Sequence, residues 1–168
     1  MPLRPGRCYR HFGTPPYTRK EYIRSIPPVL IPKFDMGNVR GSFEYVVRLV
    51  VTRSGQIRAN ALESARLASF RYLSRRVGDQ NYHLRIVTYP HHILRENKMM
   101  AVAGADRLQD GMRLSFGTPV GRAARVHRGQ CVIMVRVDEK DLEDAKEALR
   151  RAASKLPLPT RIVIEKAS

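Results

Sequence analysis

Residues 42–53 alternate: Phe43, Tyr45, Val47, Leu49 and Val51 fall on one face of an extended chain, with Glu44 and Arg48 on the other. A period of two predicts a half-buried strand, and Ser54-Gly55 predicts the turn that ends it. The period then changes. Ala61, Leu62, Ala65, Ala68, Tyr72 and Leu73 form an apolar stripe, which predicts a helix from Asn60 to about Val77, stopped by Gly78. Asn60 and Glu63 have the spacing of a capping box. Arg66, Arg71, Arg75 and Arg76 are expected mainly off the stripe. Residues 82–89 predict a second strand, interrupted by Pro90 and continued by His91 to Arg95. Residues 121–126 and 131–137 predict two more. The second of these, from Cys131 to Val137, is nearly all apolar and is expected to be central. Asp138 is the expected cap of a final helix with Asp141 in its first turn. Leu142, Ala145, Ala148, Leu149 and Ala152 are its buried face, and Arg150, Arg151 and Lys155 favour its C-terminal end. Pro157 and Pro159 stop it, and Thr160 to Glu165 predicts a last short strand.

Two stretches lack a period. Residues 1–41 hold 7 of the 11 prolines, so an extended, irregular arm is expected there. Residues 97–118 carry Gly104, Gly111 and Gly117 without a pattern, and a long mobile loop is expected at about 101–113. The predicted fold class is α+β: a sandwich with two main helices on one face of a mixed or antiparallel sheet. The predicted division is an arm, 1–41, and a single domain, 42–168.

Charge narrows the function. Lys and Arg number 31 against 15 Asp and Glu, a formal net charge of +16. Such a surface repels itself unless a polyanion neutralises it, and nucleic acid is the obvious one. Arginine outnumbers lysine 24 to 7. Its planar fork meets phosphate with two prongs and stacks on bases. Residues 138–168 carry seven basic and seven acidic side chains, so all the excess charge lies before them. In the arm, Arg4, Arg7, Arg10, Arg19 and Lys20 alternate with Tyr9, Phe12, Tyr17 and Tyr22, a pattern that suits phosphates and bases. The competing reading is a proline-rich strap packed on its own domain.

Catalytic chemistry is not legible. Cys8 and His11 have half the spacing of a zinc site, with no second pair to complete it, so no metal is expected. His91 and His92 are adjacent and point to opposite faces of a strand. Phosphate-cradling loops, dinucleotide fingerprints and nucleophile elbows are missing. The expectation is a protein that is not an enzyme and takes no cofactor. The first ten residues are basic without an apolar core, and no run of about 18 apolar residues occurs, so neither a signal peptide nor a membrane partner is expected.

Seven blocks carry a resemblance: 4–10 (RPGRCYR), 31–37 (IPKFDMG), 61–66 (ALESAR), 94–100 (LRENKMM), 104–109 (GADRLQ), 111–113 (GMR) and 124–130 (ARVHRGQ). In this order they resemble the archaeal and eukaryal large-subunit ribosomal protein of the L-ten-e type, whose bacterial relative is L-sixteen. The resemblance implies an α/β-hammerhead fold and a place in the large ribosomal subunit beside the A-site tRNA, in the cytoplasm. It implies that the loop at 101–113 points toward the peptidyl-transferase region, and that the protein joins the subunit late in assembly. The implied partners are large-subunit ribosomal RNA, A-site and P-site tRNA and neighbouring ribosomal proteins, with the protein a monomer within the ribosome. Asp110 and Leu114-Ser115 depart from the Thr and Gly-Ala common in the family.

Combining charge, residue type and matching blocks, the expected RNA-binding residues are Arg4, Arg7, Arg10, Arg19, Lys20, Arg66, Arg71, Arg75, Arg76, Arg95, Lys98, Arg122, Arg125, His127 and Arg128. The expected tRNA-proximal loop residues are Gly104, Asp106, Arg107, Gln109, Gly111 and Arg113. The alternatives are a non-specific basic RNA binder and an RNA-modification factor.

Overall fold

A computed structural model describes residues 4–97, 112–113 and 115–167. In chain order the elements are β1 (Asp35–Gly37), β2 (Tyr45–Val51), β3 (Gly55–Arg58), α1 (Ala59–Arg76), β4 (Tyr82–Ile86), β5 (His92–Glu96), β6 (Thr118–Val126), β7 (Cys131–Val137), α2 (Leu142–Ala153) and β8 (Thr160–Lys166). The class is α+β with two main helices, and the strands form two sheets. Five strands run in the order β1-β4-β7-β2-β8, and three in the order β3-β6-β5. Every pairing among the described strands is antiparallel.

The apolar strand β7 takes the central place that its composition demands. It pairs Val135 with Val47 and Ile133 with Leu49 on one side, and Val135 with Leu84 on the other. All these side chains have no exposed surface. Their cluster includes Leu62, Ala65 and Leu73 of α1 and Ala145, Ala148, Leu149 and Ala152 of α2. Each fully buried Val, Leu or Ile side chain stabilises the fold by about 1.5–3 kcal/mol. Small alanines on both helices let them pack close to one another and to the sheet.

Four details differ from expectation. Residues 82–95 do not form one interrupted strand in one sheet. Pro90 cannot donate to a ladder, and the chain leaves the large sheet after Val87, whose amide donates to Val132 O at 2.9 Å, to re-enter as β5 in the small one. Gly55 does not only end a strand; it begins β3. A Cβ there would lie 2.6 Å from the Leu158 side chain and 3.0 Å from Arg10 O, so glycine lets the arm lie directly on β3. Helix α1 starts at Ala59 with Arg58 as its N-cap, and no side chain caps it. Glu63 therefore completes no capping box; it is bonded to Arg66. Asp138 precedes a short 3-10 turn, Glu139–Asp141, and α2 follows with Asp141 at the N-cap position, again without a side-chain cap. The end of α1 is as expected: Gly78, at φ +85°, closes it with its amide 3.1 Å from Leu73 O.

Candidate nucleic-acid interface

The small sheet has two different faces. Ile57, Ala124 and Val126 join the main core, while Leu94 and Ala123 bury against Tyr9 of the arm, with Val120 beside them. Three buried residues are little apolar surface for fixing an arm, so polar contacts do the rest. Gln56, 6% exposed, donates from Nε2 to Tyr9 O at 3.1 Å and His11 O at 2.9 Å. Its backbone amide reaches Arg10 O at 2.8 Å. The amide of Tyr17 donates to His92 Nδ1 at 2.9 Å, and Ile93 N to Tyr17 O at 3.0 Å.

Several arginines fasten this strap. Arg58 donates to Arg4 O at 2.9 Å and lies over the Tyr9 ring at 5.4 Å. Arg95 lies 4.4 Å from the Tyr17 ring centre and 4.6 Å from that of Phe116, and donates to Phe116 O. Arg122 donates to Pro27 O at 2.7 Å. Arg125 donates to Thr14 O and to Gln56 Oε1, and covers the Phe12 ring at 4.9 Å. Residue type alone directs Arg95, Arg122 and Arg125 to RNA; in the fold each commits donors or ring contacts to the arm. The arm is thus packed on its own domain by hydrogen bonds along much of its length. Burial, with the nearby charges of Arg125 and Arg95, lowers the His92 imidazole from its ordinary value to about 4.

The outward-facing cations are others. Arg4, Arg7, Arg10, Arg19 and Lys20 are exposed along the arm, and Arg113 is exposed in a turn with Met112. Arg128 is exposed beside Gly129 in the β6–β7 turn, its amide on Ser54 Oγ at 3.0 Å. His127 is exposed and meets the Phe12 ring edge-on at 5.8 Å. Among the described residues, none of these seven Arg and Lys side chains forms an ion pair. Lys98, Gly104, Asp106, Arg107, Gln109 and Gly111 lie outside the described residues.

Helix α1 presents a second basic surface. Arg71, Arg75 and Arg76 are exposed, and they share a cleft with Arg151 and Lys155 of the α2 end. Arg151 lies over the Tyr72 ring at 4.2 Å and donates to Glu147 at 3.0 Å. Hydrogen bonds from Arg151 and Arg150 hold the Glu147 carboxyl below its ordinary value. Arg76 has only a loose partner, Asp144 at 3.8 Å. The neutral charge balance of the last segment hides Arg151 and Lys155 from a sequence reading; the fold nonetheless brings them beside Arg71. Arg66 is a correction. Its side chain is 9% exposed, bonded twice to Glu63 at 2.8 and 2.5 Å, with Met36 Sδ at 3.1 Å. It is part of the packing of α1 and is not available to a polyanion. The signal was present: Arg66 is four residues after Leu62, three before Ser69 and three after Glu63, which puts it on the buried face with an ion partner one turn away.

Exposed arginines without close carboxylate partners, on an arm and on one helix of an α+β core, define a basic protein whose surface is made for a polyanion. The chain matches the ribosomal protein L16p/L10e family over residues 13–163. It is 72% identical to large ribosomal subunit protein uL16 of Thermofilum pendens over 167 residues, 99% of each chain. With the protein of that name from Staphylothermus marinus it shares 64% identity over 98% of this chain and 95% of the relative. For the one from Sulfolobus acidocaldarius the identity is 60%, over 98% and 94%. The chain belongs to the ribosomal protein L16p/L10e family, as the seven sequence blocks implied. Among the described residues, no helix is long and apolar enough to cross a membrane.

Proposed function

We propose that this protein is a structural component of the large ribosomal subunit that binds ribosomal RNA near the A-site tRNA and the peptidyl-transferase region. There it supports tRNA positioning and late subunit assembly, and makes or breaks no covalent bond. The family match over residues 13–163 carries this reading. The net charge of +16 and the outward arginines of the arm and of α1 support it, because a dense RNA fold needs cations that are free to meet phosphate. The proposed contacts are Arg4, Arg7, Arg10, Arg19 and Lys20 on the arm, Arg71, Arg75 and Arg76 on α1, and His127 and Arg128 at the β6–β7 turn. Arg95, Arg122 and Arg125 keep donors beyond those given to Phe116 and the arm, exposed Arg113 is a further candidate, and Lys98, Gly104, Asp106, Arg107, Gln109 and Gly111 remain candidates on the sequence alone. With roughly 10 phosphates neutralised, log affinity falls against log salt with a slope of roughly −7 to −9.

Chemical footprinting of purified large-subunit ribosomal RNA at two salt concentrations tests this. A compact set of protected nucleotides around the A-site cleft, persisting at the higher salt, is expected. Diffuse protection that vanishes with salt would instead define a non-specific basic binder.

A further inference from the structure

One groove is distinct from the basic cleft of α1. It lies between the arm and the segment that carries the chain from the large sheet to the small one, and holds about 630 Å³. Phe12, Tyr89, His91, His92, Arg125 and His127 line it. This is the size of a pocket for a small planar molecule. Its lining is mainly apolar, from aromatic rings and from Pro15 and Pro16, with a few polar groups among them.

Two observations say what fits. The first is a series of rings. Phe34 stacks on Tyr89 with 5.4 Å between centres and 22° between planes, and His91 lies against Tyr89 at 4.5 Å with its ring tilted by 47°. Tyr89 keeps 40% of its surface exposed, and His91 is exposed. The series therefore ends in water, where a further planar group has room to pack. The second is a pair of donors. His92 Nδ1 accepts from the Tyr17 amide, because a backbone N–H can only donate. A neutral imidazole then carries its proton on Nε2. Arg125 lies 3.5 Å from that nitrogen and can also only donate, so the contact is not a hydrogen bond. Two N–H groups are brought together, and among the described residues no acceptor lies between them. An oxygen that reaches both satisfies them, and an anionic oxygen does so best.

We propose that this groove receives one unpaired nucleotide of RNA, its base continuing the Tyr89–His91 series and a phosphate oxygen accepting from His92 Nε2 and Arg125. The proposal rests on the RNA-binding reading above and adds the chemical class of the occupant. Bases within a duplex are already paired and stacked, so the occupant is single-stranded.

The test uses the full chain, a single-stranded adenosine decanucleotide, an RNA duplex of the same length and inorganic polyphosphate. Affinities are measured at one fixed salt concentration. The Tyr89→Leu/His91→Ala double variant is expected to bind the single strand about 5- to 100-fold more weakly, the loss of one base stack, with duplex affinity unchanged. Because Tyr89 also packs on Phe34, His91→Ala alone serves as the milder variant, with a smaller loss in the same direction. Nitrogen-15 NMR of the His92 ring should show the proton on Nε2, and its signal should move on adding the decanucleotide. A double variant that binds the single strand as the unchanged chain does overturns the groove, while leaving RNA binding intact. Equal competition by polyphosphate, with the variants unaffected, also overturns it and reduces the groove to part of a general polyanion surface. An unchanged chain that binds none of the RNAs, nor ribosomal RNA, sinks the underlying reading instead.

Discussion

On the five-stranded sheet, β2 and β7 bury Val47, Leu49, Ile133 and Val135 completely, and the cluster around them is apolar. On the arm-facing side of the three-stranded sheet, among the described residues, the buried cluster is only Tyr9, Leu94 and Ala123, and Gln56, His92, Arg58, Arg95, Arg122 and Arg125 fix the arm. The first region is held by area removed from water, which is non-directional and roughly proportional to surface. The second is held by hydrogen bonds and ring–guanidinium contacts, which depend on individual atoms. The difference shows that arginine in a basic chain has two employments. Some guanidiniums face outward for a polyanion; others are the fastenings of the fold.

The two regions should break differently. Ile133→Ala, in the large core, is expected to lower stability by about 2–5 kcal/mol, because apolar surface is no longer buried and a cavity is left behind. Urea unfolding should show this as one cooperative transition with an earlier midpoint, and a midpoint unchanged within error would count against an apolar core at β7. Gln56→Ala removes two donated bonds and one accepted from Arg125. A loss of about 1–3 kcal/mol is expected there, confined to the strap. Amide exchange should speed up around Tyr9 to Tyr17 while β7 keeps its protection. Equal loss of protection in both regions would show that arm and core form one cooperative unit.

A pH series sharpens the contrast further. His92 is held neutral, at about 4 against an ordinary 6.5, and it must be neutral to accept from the Tyr17 amide. Between these values the protein binds more protons at His92 with the arm released than with it docked, so docking strengthens as pH rises. Its contribution is complete above about pH 6.5 and is lost as pH falls toward 4. Arm cleavage by a protease active in this range should therefore accelerate on acidification. His92→Asn, which keeps an acceptor and does not titrate, should flatten the profile.

Periodicity made the first region legible. The alternation at 45–51, the apolar run at 131–137 and the helical spacing of Leu142, Ala145, Ala148 and Leu149 each appear as the predicted element. In the second region β5 and β6 are legible as strands, but their sheet and the docking of the arm on it are not. Strand β3 is four residues long and starts on a glycine, so it shows no period; the same holds for the three-residue β1, Asp35–Gly37, at the edge of the large sheet. The split of the sheet at Pro90 depends on where the strand re-pairs, and a proline alone does not reveal that. Likewise the residue type of Arg125 suits a phosphate as well as it suits Thr14 O and the Phe12 ring; only the fold distinguishes them. Arg66 is readable from its spacing to Leu62 and Glu63, whereas the meeting of Arg71 with Arg151 and Lys155 needs the packing of α1 on α2.

The division of arginines into outward contacts and internal fastenings is tested most directly by pairing two measurements, unfolding stability and the salt dependence of ribosomal RNA affinity, on two variants. For Arg71→Ala/Arg75→Ala/Arg76→Ala, the log–log slope should become shallower by about 2–3, an increment of about 0.7–0.9 for each phosphate that is no longer neutralised. Its unfolding midpoint should barely move, as is usual for surface changes. For Arg66→Ala, the slope should stay the same while stability falls by about 1–3 kcal/mol, because Glu63 is left without its partner in a nearly closed site. A folded Arg66→Ala protein with a shallower slope, or a triple variant with an unchanged one, would contradict the division.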